Sequence, residues 1–268
     1  MQILRNDLNL DDFFRCLGAA SGRVLLLDYD GTLAPFRANP ADAVPYPGVV
    51  ALLDRIMEAG HTRLVMVSGR WTRDLIPLLA LRQTPEIWGS HGWERLQPDG
   101  EYNVARINQA ALDALVTADD WIDQIELLGG RCERKPGGVA FHWRGLDNNK
   151  IAEIRELTFR NWRDHNLGQN LSWHDFDGGI ELRASGRDKG DVVRMIIGES
   201  GDRAVLGYFG DDLTDENAFQ AMPNGGISVL VRPQFRPTAA DVWLRPPEEL
   251  LEFLVRWHET ALTALPTT

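Results

Sequence analysis

The sequence predicts an α/β protein: a doubly wound, mainly parallel sheet with a smaller α+β unit inserted into it. Three observations lead there. Strand-like apolar runs alternate with helical spacing along residues 8–96 and again along 189–262. The stretch between, 104–184, breaks that rhythm with helix, strands, helix, strands. The apolar runs also end in acids or hydroxyls, as in an open parallel sheet whose strand ends form a ligand crevice. A chain of 268 residues is long enough for a core and an insertion. The units read from the sequence are 1–103 with 185–268, and 104–184.

Each element has its own signal. LNLDDFFRCLGAA at 8–20 has helical spacing. RVLLLDYDG at 23–31 is a continuous apolar run, the pattern of a buried strand, with acids at its C-terminal end. Proline and alanine at 37–47 predict a loop. PGVVALLDRIMEAG at 47–60 predicts a helix with Pro near its start and Gly at its end. HTRLVMVSGR at 61–70 is strand then turn, 71–82 a helix, and EIWGSHGWERL at 86–96 strand, turn and short strand. Residues 104–128 carry one long helical pattern. GRCERKPGGVAFHWR at 130–144 fits two strand pieces around Lys-Pro-Gly-Gly, or one strand entered by a loop. Residues 147–165 are helical again, and LSWHDFDGGIELRA at 171–184 is a hairpin with Asp-Gly-Gly as its turn. The α/β rhythm resumes with a helix at 189–200, strands at 204–212, 226–231 and 240–244, a helix start at 215–222 and a closing helix from Pro247.

Composition narrows the function. A net charge of -11 argues against a nucleic-acid partner, though a local basic pocket or bound cation still admits an anionic small molecule. Two distant cysteines, Cys16 and Cys132, argue against a disulfide framework and for a reducing compartment. The opening residues are polar and mixed, and no run of eighteen apolar residues occurs. The expectation is a cytoplasmic protein without a membrane partner, and a monomer, since no coiled-coil pattern stands out.

Four clusters fall at strand ends or helix starts: Asp28 and Asp30; Ser68, Gly69 and Arg70; Lys189; and Gly210, Asp211, Asp212 and Asp215. A straight strand points residues two apart to one side, so Asp28 and Asp30 would repel unless compensated. Mg²⁺ is a suitable compensator, since it prefers carboxylates, water and phosphate oxygens, and Asp211 would add a carboxylate. Gly31 lets the chain turn near a ligand, and Thr32 offers a hydroxyl or amide to an oxyanion. Ser68 suits a phosphate oxygen, a helix N-cap, or both. Lys189 would neutralise phosphate charge if the fold brings it in. Surface acids capping loops are the plain alternative for the first pair. No GxxxxGK[ST] occurs, and DYDGT is not a dinucleotide fingerprint.

DYDGT, an apolar run ending in SGR, then DKG and GDDLTDE, in that order over residues 28–217, resemble the haloacid dehalogenase (HAD) superfamily of phosphatases. The resemblance implies a HAD-like Rossmannoid core. It implies Asp28 as nucleophile forming an aspartyl-phosphate, and Asp30 as general acid and then base. Ser68 and Lys189 would bind the transferring phosphoryl group, with Thr32, Gly69 and Arg70 around the substrate. Asp28, Asp211 and a main-chain carbonyl at Asp30 would hold Mg²⁺, with Asp212 and Asp215 in support. An insertion between the Ser68 and Lys189 clusters resembles a C2 cap, of the C2B type by its texture, which would open to admit substrate and close to exclude water.

CERKPGGVAFHWR at 132–144 resembles the ExK…HxR signature of trehalose-6-phosphate phosphatases, with Glu133, Lys135, His142 and Arg144 matching. SHGWE at 90–94 and IELRASGRDKG at 180–190 resemble that family's His-Gly-x-Glu loop and its cap-to-core joint, adding His91 and Glu181. Trp93 stands where the family usually has a small residue, to fill pocket space or to face the core. Donors and acceptors of this kind suit sugar hydroxyls. The implied activity is hydrolysis of a sugar-phosphate substrate, trehalose 6-phosphate, with glucosylglycerol or glucosylglycerate phosphate as alternatives.

Overall fold

A computed structural model describes residues 1–37, 39–176, 178–201 and 203–263. Two compact units emerge: Met1–Asn103 together with the chain from Asp188 onward, and Val104–Arg187. The second unit runs through Arg187 rather than stopping at 184.

The first unit holds a sheet ordered β1 (Gln2–Ile3), β13 (Val242–Leu244), β12 (Ile227–Val231), β11 (Ala204–Gly210), β2 (Gly22–Leu27), β3 (Arg63–Val67), β4 (Glu86–Gly89), β5 (Glu94–Leu96) and β6 (Tyr102–Val104). The run from β13 to β4 is parallel, and β1 and β5 pair antiparallel beside it. Strand β2 shows why its sequence is continuously apolar. Leu25 and Leu27 pack into a cluster with helices α1 (Leu10–Ala19), α2 (Val49–Ala59), α3 (Thr72–Leu79) and α9 (Glu248–Leu262). Val24 and Leu26 pack into the other, with α7 (Lys189–Ser200) and α8 (Glu216–Ala221). A central parallel strand is buried on both faces, so no polar alternation survives in it.

The second unit is an antiparallel sheet ordered β7 (Arg131–Lys135), β8 (Gly138–His142), β10 (Gly179–Ala184) and β9 (Leu171–Phe176), with helices α4 (Gln109–Asp119), α5 (Ile122–Leu127) and α6 (Asn148–Asp164). The 130–144 stretch is thus two strands, turning at Gly137 with φ 73°. The single helical pattern at 104–128 is two helices preceded by β6. The chain breaks at Asp120 because the Trp121 amide donates to Ala118 O (3.2 Å), a tightened turn that buries the indole near Phe141. The hairpin at 171–184 forms as β9 and β10, and the Asp177 of its expected turn lies outside the described residues.

Candidate active site

Strand β2 ends at Leu27, short of the expected 31, but the Asp28 amide still donates to Phe209 O (2.8 Å). Tyr29 is fully buried, and its hydroxyl donates to Ala43 O (2.6 Å), which anchors the turn carrying Asp28 and Asp30. Gly31 follows with φ +82°, and a Cβ there would lie 2.1 Å from Asp211 Oδ2. Both the dihedral and the space require glycine. The acids from β2 and β11 approach because these strands are parallel neighbours.

Lys189 opens α7 behind the capping box of Asp188 and Asp191. Its Nζ donates to Asp28 Oδ1 (2.8 Å) and Asp215 Oδ1 (2.7 Å), and all three groups are buried. Thr32 Oγ1 donates to Asp28 Oδ2 (3.3 Å), so its hydroxyl steadies the carboxylate. Asp215 is an acceptor hub: Oδ1 also takes the Tyr208 hydroxyl (2.6 Å), and Oδ2 takes the amides of Asp211 (3.1 Å) and Asp212 (3.0 Å). It orients the lysine and the acid loop at once, while Asp212 caps the short turn Leu213–Asp215.

Carboxylate oxygens of Asp28, Asp211 and Asp215 lie within 4.8 Å of one another, a candidate divalent-metal site. Burial pushes the Asp28 carboxyl up; Lys189 opposes this, Asp215 adds to it, and it comes to about 7. Asp211 is pushed well above the usual carboxylate range by burial and then by Asp28, Asp215 and Asp212. Burial would lower Lys189, but Asp215 and Asp28 outweigh it and hold the ammonium above its ordinary value. One lysine among these acids leaves negative charge uncompensated, and an oxygen-only donor set suits a hard divalent cation.

Asp30 stands apart from that set. Arg70 grips it with Nε and Nη2, each 2.6 Å from a carboxylate oxygen. Ser68 does not cap α3, whose N-cap is Trp71; its hydroxyl accepts the Arg70 amide (3.1 Å) and keeps its own proton to donate. The following loop is tied to this one: the Ser90 amide donates to Arg70 O (2.8 Å) and the His91 amide to Ser68 O (3.0 Å). Ser90 and His91 both have positive φ, and a Cβ on Gly69 would lie 2.6 Å from the His91 ring. Such strain in non-glycine residues is held by surrounding structure. Here buried Glu94 helps, accepting the Ser90 hydroxyl (2.5 Å), the Thr72 amide (3.3 Å) and the Tyr102 hydroxyl (2.7 Å). Trp93 is buried.

In the second unit, the register aligns Glu133 with Ala140 and Ala140 with Glu181. His142 Nε2 pairs with Glu133 (3.1 Å), Lys135 with Glu181 (2.8 Å), and Arg183 Nη2 with Glu181 (2.7 Å). Burial alone would raise the Glu133 carboxyl, but the His142 hydrogen bond and Lys135 hold it at about 2. Burial lowers His142, so the ring favours its neutral form. Phe141 and Trp143 are buried while Arg144 is exposed with its stem against Gly178, the alternation expected of FHWR.

A family model described as Trehalose-phosphatase matches residues 26–243. The chain belongs to this family, within the HAD superfamily. It is 31% identical to the trehalose-phosphate phosphatase of Mycobacterium marinum, over 94% of this chain and 67% of that one. It is 30% identical to the bifunctional trehalose-6-phosphate synthase/phosphatase of Thermoproteus tenax, over 85% of this chain and 31% of that one. The chain thus spans about two thirds of the mycobacterial relative and a third of the archaeal one. The C-terminal domain of Candida albicans trehalose-6-phosphate phosphatase superposes with TM-score 0.77, covering 97% of this chain and 99% of that one at 21% identity. That likeness speaks to the fold. So does the C-terminal domain of the C. albicans trehalose synthase regulatory protein, with TM-score 0.67 at 14% identity, 96% of this chain and 100% of that one.

Beyond the residues that its motifs suggested, the structure of this trehalose-phosphatase family member ties others into the same networks by hydrogen bonds. Tyr208 lies inside an apolar run, where a buried hydroxyl needs a partner; that was the available signal. Arg183, Ser172 and His174 alternate with Leu182 and Trp173, a period-two pattern that was also readable. Arg236, in a proline-bounded loop, carried no signal.

Proposed function

We propose that the protein is a Mg²⁺-dependent phosphatase that hydrolyses trehalose 6-phosphate to trehalose and inorganic phosphate. The observation that carries this reading is the buried Asp28–Lys189 pair (2.8 Å) beside Asp211, in a chain of the trehalose-phosphatase family. Asp28 Oδ attacks phosphorus, and the P–O bond to the sugar breaks as Asp30 protonates the leaving oxygen. The resulting aspartyl-phosphate is cleaved by water, which Asp30 deprotonates, so the Asp28 carboxylate is regenerated and inorganic phosphate leaves. Lys189 and the Ser68 hydroxyl stabilise charge on the transferring group, and Arg70 would release Asp30 for proton transfer. Mg²⁺ held by Asp28 and Asp211, with the Asp30 main-chain carbonyl, would supply charge neutralisation. Thr32, Gly69 and His91 shape the phosphate end. Glu133, Lys135, His142, Arg144 and Glu181 would recognise sugar hydroxyls, which makes 104–187 the specificity unit.

Phosphate release from a panel of sugar phosphates, with and without Mg²⁺, tests this. Trehalose 6-phosphate should turn over fastest and only with the cation. Faster turnover of glucosylglycerol or glucosylglycerate phosphate would replace the substrate, and turnover of none would overturn the enzyme reading.

A further inference from the structure

We propose that Arg236 is a positioning residue that sets the acid loop of the metal site. Nothing in the motif set points to it. It lies in the loop after β12, the parallel neighbour of β11, so the sheet delivers it beside the loop that follows β11. Its guanidinium is mostly buried and spans the loop's main chain. Nη2 donates to Asp212 O (2.7 Å) and Nε to Asp211 O (3.3 Å), while Nη1 reaches Glu216 and Pro237 O (2.9 Å). Arg232 adds a second guanidinium on Asp211 O (3.3 Å). Glu216 is itself held, accepting the Thr238 hydroxyl (2.8 Å) and the Ala239 amide (2.7 Å).

The arrangement has a mechanical logic. The Asp211 and Asp212 amides point to Asp215, while their carbonyls meet the guanidinium. The peptide group between Asp211 and Asp212 is thus gripped at both ends, its N–H by Asp215 and its C=O by Arg236. What that fixes is the direction of the Asp211 side chain, which faces Asp28 across the space that Gly31 leaves open. The loop carries Asp211, Asp212, Asp215 and Glu216 within six residues, so it would repel itself without a cation on its outer side. A flat fork with several donors suits these diverging acceptors, and an ammonium does not.

This inference rests on the metal reading of the same site, and the test separates the two. Mg²⁺ binding to the whole chain is measured by calorimetry, alongside the Mg²⁺ activation constant and the KM for trehalose 6-phosphate at saturating Mg²⁺. Arg236→Met should weaken Mg²⁺ binding about tenfold or more, the usual effect of removing an outer partner, with KM within about twofold of wild type. Arg236→Lys should not restore affinity. If wild type binds no Mg²⁺, the metal reading fails and this inference with it. If wild type binds and Arg236→Met binds equally well, even with lowered thermal stability, the residue is only structural and the inference is overturned. Full rescue by lysine overturns it too, since charge alone would suffice. Should Arg236→Met fail to fold, Glu216→Gln decides: weaker Mg²⁺ binding supports the inference and unchanged binding sinks it.

Discussion

The two units carry charge in opposite ways. In the core, Asp28, Asp211 and Asp215 share one Lys189, and burial leaves Asp28 and Asp211 reluctant to ionise together. On the inserted sheet, Glu133 faces His142, and Glu181 is flanked by Lys135 and Arg183. The first set has a deficit of positive charge that a cation would meet. The second is already neutralised, so a ligand there exchanges one hydrogen-bond partner for another. Deficit suits bond breaking, and balance suits recognition.

The largest expected effect breaks the core side of this contrast. Lys189→Met and Asp28→Asn should each lower kcat about 10³-fold or more, with folding retained by circular dichroism. Residual activity within tenfold of wild type for either would remove the core from the reaction. Next, Lys135→Ala and Glu181→Gln should act mainly on KM, raising it about tenfold with a smaller change in kcat. Equal losses in kcat and kcat/KM would mean the inserted sheet serves the transition state, not recognition.

Proton competition sharpens the deficit itself. With Asp28 at about 7 before metal binds, Mg²⁺ affinity should fall about tenfold between pH 8 and pH 6, with proton uptake on release seen in calorimetry. Affinity independent of pH would argue that Asp28 is already ionised. The smallest effect concerns the balanced side. Both Glu133 and His142 are depressed in the fold, so each contributes stability at high pH that is lost on acidification. The His142 contribution fades as pH falls below its ordinary 6.5, and that of Glu133 between its ordinary 4.5 and about 2. Glu133→Gln should flatten the second step in melting temperature against pH; an unchanged profile would show that the pair adds no net stability.

Much of this was readable in the sequence where local chemistry repeats. Leu25–Leu27 announced a strand buried on two faces, and HTRLVMVSGR and VLGYFGDD announced strand ends with polar tips. The helical pattern at 104–128 misled because its period continues through Asp120, while the break comes from burying Trp121 against distant Phe141. For Ser68 the sequence left a phosphate ligand, a cap, or both open, and the cap falls away because the nearest helix starts at Thr72 and the hydroxyl serves its own loop.

By itself, the sequence determined the alternation of elements, the place of the insertion and the acids that stand at the candidate site, because periodicity and strand-end polarity are local properties. Only the tertiary structure decided that Asp30 rests on Arg70, that Asp215 is a hub for Lys189, Tyr208 and two amides, and that Arg236 braces the acid loop. Those partners are far apart in the chain or hidden in ordinary-looking segments. Their pairing follows from parallel strand order and from the need of each buried charge for a partner, which no single window of residues expresses.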